Sequence, residues 1–191
     1  MLRPLFFVLA VALSACGGGD GASFAPETGN THCGVSVGKQ RIIGMVTSVH
    51  DGDTVTVGGE SVRLASIDAP ELDQAYGPSS RGNLSAMVLG QTVTVTYAEK
   101  DRFDRVVGTV FKTDCTHVNL NMVLVGAAWY YEAFQCEIDL RQRQAYAAAQ
   151  AQAQAARRGL WLSDAMAPWM HRNGVDAKVP NSCPNGDAAS L

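Results

Sequence analysis

Short runs in which apolar and polar residues alternate, separated by tight-turn dipeptides, constrain the fold of this 191-residue chain most strongly. The first run spans residues 41–49, and one face of it would carry Ile43, Met45, Thr47 and Val49. Such period-2 alternation predicts a half-buried strand. Asp51-Gly52 and Gly58-Gly59 are hairpin-turn sequences, which predicts two further strands through residues 55–57 and 62–64.

The remaining patterns complete a mainly β domain. Pro78 in a first helical turn, apolar residues at helical spacing and Gly90 as a stop predict a helix after the third strand. Alternation over residues 92–97 and 106–111 predicts a fourth and a fifth strand. Five short strands with a helix inserted after the third resemble a five-stranded OB-type barrel. The predicted fold class is therefore α+β, mainly a β-barrel, with about three helices.

Two more helices are predicted in the second half of the chain. Asn119 is a suitable capping residue for a helix over residues 120–125. The longest helix is expected over residues 138–158, where Ala and Gln give a high helix propensity. Its apolar stripe would carry Leu140, Ala147, Ala151 and Ala155.

A dense group of acids around the first predicted turn is the main indication of chemistry. The group consists of Asp51, Asp53, Asp68 and Glu71, with Arg63 among them. Carboxylates this close repel one another unless a cation lies between them, and oxygen donors favour Ca²⁺ or Mg²⁺ over zinc. The planar guanidinium of Arg63 can hold a phosphate through two hydrogen bonds. A cation beside a phosphate-binding arginine indicates phosphodiester chemistry. The alternative is that Asp51-Gly52 is only a hairpin turn and that Asp68-Ala69-Pro70-Glu71 only caps a helix.

Arg63 and Asp68 can approach each other only if the chain bends between them. Strict alternation places Arg63 and Asp68 on opposite faces of the third strand. Both side chains can reach one site only if the strand changes direction between Leu64 and Ile67. We therefore predict a kink or a β-bulge at that point.

Several longer motifs occur in one order along the chain. They are Asp51-Gly52-Asp53-Thr54, Arg63-Leu64 through Ile67-Asp68-Ala69-Pro70-Glu71, Tyr76-Gly77-Pro78, Asp101-Arg102-Phe103-Asp104-Arg105, Val118-Asn119 with Gly126-Ala127-Ala128, and Arg158-Gly159-Leu160-Trp161. In this order and spacing they resemble the staphylococcal nuclease (thermonuclease) family over roughly residues 40–172. The resemblance implies endonucleolytic hydrolysis of DNA and RNA with a Ca²⁺ cofactor, leaving 3′-phosphate ends.

The same resemblance implies roles for individual residues. Asp53 and Asp68 would be carboxylate ligands of the Ca²⁺ ion, with the backbone carbonyl of Ala69 as a third donor. A hard cation of this kind takes its remaining oxygen ligands from water and phosphate. Glu71 would hold or deprotonate the attacking water as a general base.

Two arginines and two aromatic residues complete the implied site. Arg63 and Arg105 would flank the scissile phosphate and stabilise the charge of the transition state. Phe103 and Asp104 stand where the family pattern has tyrosine and glycine. Phe103 can stack on a base, but it has no hydroxyl to donate to a phosphate. Tyr131 is a second candidate for base contact, with core or helix-end packing as the alternative.

The amino end predicts export. Residues 1–16 combine Arg3 with an apolar run that is too short to span a bilayer, as in a signal peptide. Leu13-Ser14-Ala15-Cys16 resembles a bacterial lipobox, which implies a lipid on Cys16 that attaches the protein to the membrane. Gly17 after the cysteine favours the outer membrane over the inner one. The alternative is an ordinary signal peptide cleaved nearby, which would give a secreted protein.

Composition predicts the domain organisation. Residues 17–39 carry Gly, Ser, Thr and Pro and predict a flexible tether. Residues 40–172 would form the nuclease-like domain and residues 173–191 a polar tail. With Cys16 set aside, four of the five cysteines remain, which in an exported chain predicts two disulfides of undetermined pairing. These four are Cys33, Cys115, Cys136 and Cys183.

The formal net charge of −3 argues against a general nucleic-acid-coating protein, since tight binding through counterion release needs clustered basic residues. It favours a catalyst, expected to be a monomer, that makes transient contacts with DNA or RNA. The alternative is a non-catalytic OB module that binds an oligonucleotide or an envelope partner, which the acidic balance and Asp104 would favour. A purely structural envelope lipoprotein would leave the acid group unexplained.

Overall fold

The computed structural model describes Cys33 and residues 39–179. The strands in this part of the chain are β1 (Gln40–Val49), β2 (Thr54–Val57), β3 (Glu60–Leu64), β4 (Ile67–Asp68), β5 (Thr92–Lys100), β6 (Val106–Lys112) and β7 (Trp129–Tyr130). Its α-helices are α1 (Gly77–Val88), α2 (Val118–Leu124), α3 (Leu140–Ala155) and α4 (Pro168–Asn173). Two 3₁₀ helices, Glu132–Glu137 and Gly159–Leu162, flank α3.

Five strands close into a barrel in the order β1-β2-β3-β6-β5, which confirms the predicted OB-type α+β fold. Neighbouring strands are antiparallel except β3 and β6, which run parallel. The interior is filled largely by β-branched side chains, which fit a pleated surface, among them Val46, Val55, Val62, Val95 and Val110. Burying each such side chain contributes about 1.5–3 kcal/mol. The barrel is therefore a stable platform for the residues that project from its rim.

The bend predicted between Leu64 and Ile67 ends β3. Ser66 adopts a left-handed conformation with φ 63°, which residues other than glycine rarely adopt. Beyond it the chain leaves the barrel as β4 and pairs with β7 in a separate two-stranded sheet. The change of direction turns Asp68 back toward Arg63, which lies in β3 of the barrel.

The predicted apolar face of β1 is wrong. Ile43 is 54% exposed and Met45 is 53% exposed, whereas Val46 and Val49 are buried. The inward positions are the even-numbered ones up to Val46, and a register shift between Val46 and Ser48 then brings Val49 inward. A bulge of this kind changes which residues face the core without changing the sequence pattern.

The longest helix, α3, is shorter than predicted and buries a different stripe. Asp139 caps its N-terminus by accepting a hydrogen bond from a first-turn N–H group. The buried residues are Tyr146, Ala149 and Ala153. The residues of the predicted stripe are exposed instead: Leu140, Ala147, Ala151 and Ala155. The ring of Tyr146 stacks on that of Tyr130 with centroids 5.3 Å apart, and this large contact sets the orientation of the helix.

The predicted capping role of Asn119 is also wrong. His117 is the N-cap of α2, and its Nδ1 atom accepts a hydrogen bond from the backbone N–H of Leu120 at 3.2 Å. Asn119 is fully buried, and its side-chain amide connects α2 to the backbone of β6 and to the carbonyl of Ala65 in the bend. The amide therefore holds the barrel and the helix together.

A disulfide joins Cys33 to Cys115, and Cys136 is also disulfide-bonded. Cys183 lies outside the described residues, so its pairing stays a prediction. The predicted lipobox lies outside them too, as do most of the predicted tether and tail. None of the helices in residues 39–179 combines the length and the apolar character needed to cross a bilayer.

Candidate active site

Asp53 is fixed by the turn between β1 and β2. Its backbone N–H donates to Oδ1 of Asp51 at 2.9 Å, and its own Oδ1 accepts from the hydroxyl of Thr54 at 3.0 Å. Its Oδ2 accepts from the backbone N–H of Ala69 at 3.1 Å. A Cβ on Gly52 would lie 2.6 Å from the Cβ of Ala69, so glycine allows the turn to pack this closely. The carboxylate of Asp53 is thereby held beside Ala69.

Arg63 links the two sides of the acid group. Its Nη2 atom lies 3.1 Å from Oδ1 of Asp68 and 3.5 Å from Oδ2 of Asp53. Its Nη1 atom donates to the backbone carbonyls of Leu64 and Ile67 at 3.2 and 3.1 Å. The charge of Asp53 raises the pKa of Arg63, with burial acting in the opposite direction. The guanidinium is therefore a permanent positive charge fixed across the bend.

Asp68 is the most deeply buried acid of the site, with an exposed fraction of 1%. Burial raises the pKa of its carboxyl group to about 6, and the charge of Asp53 adds to this, although Arg172 and Arg63 act in the opposite direction. An ionised carboxylate in such a place is costly unless positive charge compensates it. Asp68 is therefore a strong candidate for binding a further cation.

Arg172 is the site residue that sequence reasoning missed. This residue of α4 donates from Nη2 to Oδ2 of Asp68 at 2.8 Å and from Nη1 to Oε1 of Glu71 at 2.7 Å. Burial lowers the pKa of Arg172, but hydrogen bonds to Asp68 and Glu71 more than offset this and raise it. The sequence offered no indication of this contact, since 101 positions separate Arg172 from Glu71.

Glu71 lies at the open side of the site. Its side chain is 37% exposed and makes the contact with Arg172 described above. Its backbone N–H donates to Oε1 of Gln74 at 2.8 Å, which fixes the loop after Pro70. A half-exposed carboxylate next to buried acids can reach both solvent water and a substrate bound over the site.

Arg105 lies near the site but is engaged with its own loop. Its Nε and Nη2 atoms both lie 2.8 Å from Oδ2 of Asp101. In the parallel pairing of β3 and β6, Arg63 lies opposite Val107. Arg105 comes two positions before Val107, and residues two apart along a strand share a face. Arg105 therefore lies on the same outer face of the barrel as Arg63. Within residues 39–179 its ion pair is with Asp101, rather than with the acids around Arg63. The structure thus brings Asp53, Asp68, Glu71 and Arg63 together and leaves Arg105 beside them.

The two aromatic candidates differ in accessibility. Phe103 is 64% exposed, and the guanidinium groups of Arg102 and Arg105 lie 4.8 and 5.5 Å from the centre of its ring. Tyr131 is half-buried, and the centre of its ring lies 5.9 Å from that of Trp169. Burial and then the charge of Asp68 raise the pKa of Tyr131. Tyr131 is close enough to Asp68 for that charge to act on it, and Phe103 is the ring that is open to a base.

The donor set fits a hard divalent cation. Asp53 and Asp68 present buried carboxylates to the same Arg63 Nη2 atom, and the backbone carbonyl of Ala69 lies next to them in the chain. In the described part of the chain no group of three or more His, Cys, Asp or Glu side chains is placed to hold a metal. The two carboxylates and the carbonyl supply only oxygen donors, and because the described residues place no third side-chain ligand here, a bound cation would need water or phosphate to complete its shell, as Ca²⁺ and Mg²⁺ do.

Comparison with known proteins agrees with this geometry. Residues 61–163 match the model of the family described as staphylococcal nuclease homologue. An uncharacterized endonuclease of Escherichia coli is 40% identical over 137 residues, which cover 69% of this chain and 86% of that protein. A micrococcal nuclease of Shigella flexneri is 35% identical over 142 residues, which cover 68% of this chain and 79% of that protein. The chain therefore belongs to the staphylococcal nuclease family.

Proposed function

We propose that this protein is a calcium-dependent endonuclease that hydrolyses phosphodiester bonds in DNA or RNA. The observation that carries the proposal is the convergence of Asp53, Asp68 and Arg63, with Asp68 linked through one guanidinium to Glu71. Two cation-binding carboxylates, a phosphate-binding arginine and a half-exposed base in one place are the parts that such a hydrolysis needs. The names of the two relatives, an endonuclease and a micrococcal nuclease, are consistent with this activity.

Asp53, Asp68 and the carbonyl of Ala69 would hold the Ca²⁺ ion. When bound, the ion supplies positive charge that polarises the phosphate and offsets the repulsion between the carboxylates. The backbone N–H of Ala69 donates to Oδ2 of Asp53 at 3.1 Å, which supports the proposal that Ala69 and Asp53 serve the same cation.

Glu71 would accept a proton from the attacking water. A bond forms between the water oxygen and phosphorus, the bond from phosphorus to the leaving oxygen breaks, and that oxygen takes a proton from solvent. Arg63 would bind a non-bridging phosphate oxygen and stabilise the charge that builds up on it. Arg105 would bind the same phosphate once it releases its ion pair with Asp101. The ring of Phe103 would stack on a neighbouring base.

A digestion assay tests the proposal. Labelled single-stranded DNA and RNA are incubated with the purified protein in Ca²⁺, and in parallel after addition of a chelator. We expect internal cleavage of at least one substrate in Ca²⁺ and none with chelator. Equal cleavage under both conditions would contradict the cation mechanism.

A non-catalytic oligonucleotide-binding module is the second candidate. The observation in its favour is that Arg105 is paired with Asp101, while Asp104 adds another acid to the same loop. In the digestion assay this candidate predicts binding of single-stranded DNA without cleavage in either condition. Cleavage that stops when Ca²⁺ is removed would exclude it.

Export to the cell envelope is proposed together with the activity. The Cys33–Cys115 disulfide supports it, because disulfides persist mainly in oxidising compartments. We propose that Cys16 carries a lipid that holds the protein at the membrane. Incorporation of labelled palmitate into the wild-type protein but not into Cys16→Ser would support this, and equal labelling of both would contradict it.

A further inference from the structure

The acid group contacts a second guanidinium, that of Arg172, which has no role in the mechanism proposed above. Arg172 lies 2.8 Å from Oδ2 and 3.3 Å from Oδ1 of Asp68, and 2.7 Å from Oε1 of Glu71. It therefore touches both a proposed cation ligand and the proposed base. Its side chain is 38% exposed, so it also faces the open side of the site.

We propose that Arg172 is a third active-site arginine, which releases Asp68 when a divalent cation binds and then holds the substrate phosphate. The proposal rests on the proposed function and extends it by one residue. It makes the C-terminal segment, residues 166–173, a part of the active site. A guanidinium suits this role because its planar fork binds carboxylate and phosphate oxygens with the same geometry.

The contacts of Asp68 indicate why one guanidinium would move. Both oxygens of this carboxylate already accept hydrogen bonds from guanidinium groups. A cation that binds Asp68 competes with these donors for the oxygen lone pairs and repels their positive charges, which favours the release of one of them. Arg63 also donates to two backbone carbonyls across the bend and is only 19% exposed, which holds it in place. Arg172 is the more exposed of the two and is the one free to withdraw.

The C-terminal segment explains why Arg172 would stay near the site after withdrawing. Nε2 of Gln74 donates to the carbonyl of Met166 at 3.1 Å, and Nε2 of His171 lies 3.3 Å from the carboxylate of Asp73. Both contacts tie the segment to the loop that carries Glu71. Trp169 adds ring contacts on the other side of α4.

These ring contacts are with two aromatic residues of the nearby β7 region. The centre of the Trp169 ring lies 6.3 Å from that of Trp129 and 5.9 Å from that of Tyr131. Trp129 is buried and belongs to β7, which pairs with the strand that carries Asp68. The backbone of Arg172 is thus held against the same short sheet as the proposed cation ligand, and only its side chain needs to change partners.

Cation binding by variants at position 172 tests the exchange. Ca²⁺ is titrated calorimetrically into the wild-type protein, Arg172→Gln, Arg172→Lys and the control Arg141→Gln, which removes the same charge from an exposed position of α3. We expect Arg172→Gln to bind Ca²⁺ about tenfold more tightly than the wild type, because a competing ion pair is gone. Arg172→Lys should fall between the two, and Arg141→Gln should match the wild type.

The affinity of Arg172→Gln for substrate should change in the opposite direction to its affinity for Ca²⁺. With Ca²⁺ at saturation, a single-stranded DNA with phosphorothioate linkages is expected to bind Arg172→Gln about three- to tenfold more weakly than the wild type. Arg172→Lys keeps a positive charge at the position and should retain part of this affinity. A merely structural role would weaken both cation and substrate binding, so tighter Ca²⁺ binding with weaker DNA binding is specific to the exchange.

Two results would overturn the role of Arg172. One is Ca²⁺ affinity in Arg172→Gln that is unchanged or reduced relative to Arg141→Gln, and the other is unchanged affinity for the DNA. If Arg172→Gln does not fold, as judged by its circular dichroism, the same criteria apply to Arg172→Lys. A wild-type protein that binds no Ca²⁺ would instead contradict the proposed function itself.

Discussion

Two buried polar regions contact the backbone of the same bend, and their polar groups are paired in different ways. Beneath α2, the amide of Asn119 accepts from the N–H of Val110 at 2.9 Å and donates to the carbonyls of Ala65 and Gly108 at 2.9 and 3.1 Å. All its partners are neutral backbone groups. At the acid group, Asp68 is equally buried but is surrounded by charges of both signs.

The difference indicates what each region does. A neutral network in which donors and acceptors are matched contributes to stability and needs nothing further. Buried charges are costly to assemble, and a cluster of them with a perturbed pKa is typical of a functional site. We therefore expect changes beneath α2 to affect folding and changes in the acid group to affect activity.

Glu71→Gln should have the largest effect and should affect only activity. Loss of a general base is expected to slow hydrolysis by about 10²–10⁴-fold, while the melting temperature stays close to that of the wild type. Single-turnover cleavage of single-stranded DNA measures the rate. Glu99→Gln, at an exposed position of β5, is the matched control and should cleave normally. A Glu71→Gln enzyme with near wild-type rate would remove Glu71 from the mechanism.

Asn119→Ala should show the converse pattern. It leaves the buried N–H of Val110 and the carbonyl of Ala65 without their partner, whereas the carbonyl of Gly108 keeps the N–H of Ala65. The loss is expected to cost about 2–4 kcal/mol of the free energy of unfolding. Denaturant titration measures this, with Asn83→Ala as a control that loses one solvent-accessible side-chain hydrogen bond on α1. Protein that remains folded should bind Ca²⁺ like the wild type. Altered Ca²⁺ affinity at full folding would show that the two regions are coupled.

The protonation of His117 predicts how the region beneath α2 responds to low pH. Burial lowers the pKa of this histidine from 6.5 to about 4, and its Nδ1 atom is an acceptor at the N-cap of α2. Because the unfolded chain binds the proton first, stability is complete above about pH 6.5 and falls as the pH drops toward 4, by about 2–3 kcal/mol. Unfolding free energies measured across this range test the prediction. His117→Asn keeps an acceptor and should remove this part of the pH dependence, and an unchanged slope would contradict it.

Phe103 should give the smallest effect. Phe103→Ala removes an exposed stacking surface and should weaken binding of single-stranded DNA by about 1 kcal/mol. Phe103→Tyr keeps the ring and adds a hydroxyl that can donate to a phosphate, so its affinity should equal or exceed that of the wild type. Fluorescence anisotropy in Ca²⁺ measures both. Equal affinity of Phe103→Ala and the wild type would mean that the ring does not contact the substrate.

The barrel and the bend could be predicted because their causes are local. Alternation, Asp-Gly and Gly-Gly turns, and the need to bring Arg63 and Asp68 to one side are all visible within a few residues of sequence. The faces of β1 and α3 could not be predicted in the same way. A register shift after Val46 and the packing of Tyr146 on Tyr130 decided them, and both are tertiary effects.

The two residues that sequence reasoning misjudged show the same limit. Asn119 matched the pattern of a helix cap, but its amide is used by strands that come together only in the folded barrel. Arg172 had no neighbouring motif, because the acids it contacts are about a hundred positions away. The acids could be identified from the sequence, since all of them lie within residues 51–71.

The thermal stability of the protein in Ca²⁺ tests the central claim most directly, because it reports cation binding without requiring turnover. Ligand that binds only the folded state must raise the melting temperature with increasing concentration. We expect this rise for the wild type and for Asp164→Asn, whose carboxylate is exposed, and its loss in Asp68→Asn. A melting temperature of Asp68→Asn that rises with Ca²⁺ as much as that of the wild type would show that Asp68 does not hold the cation.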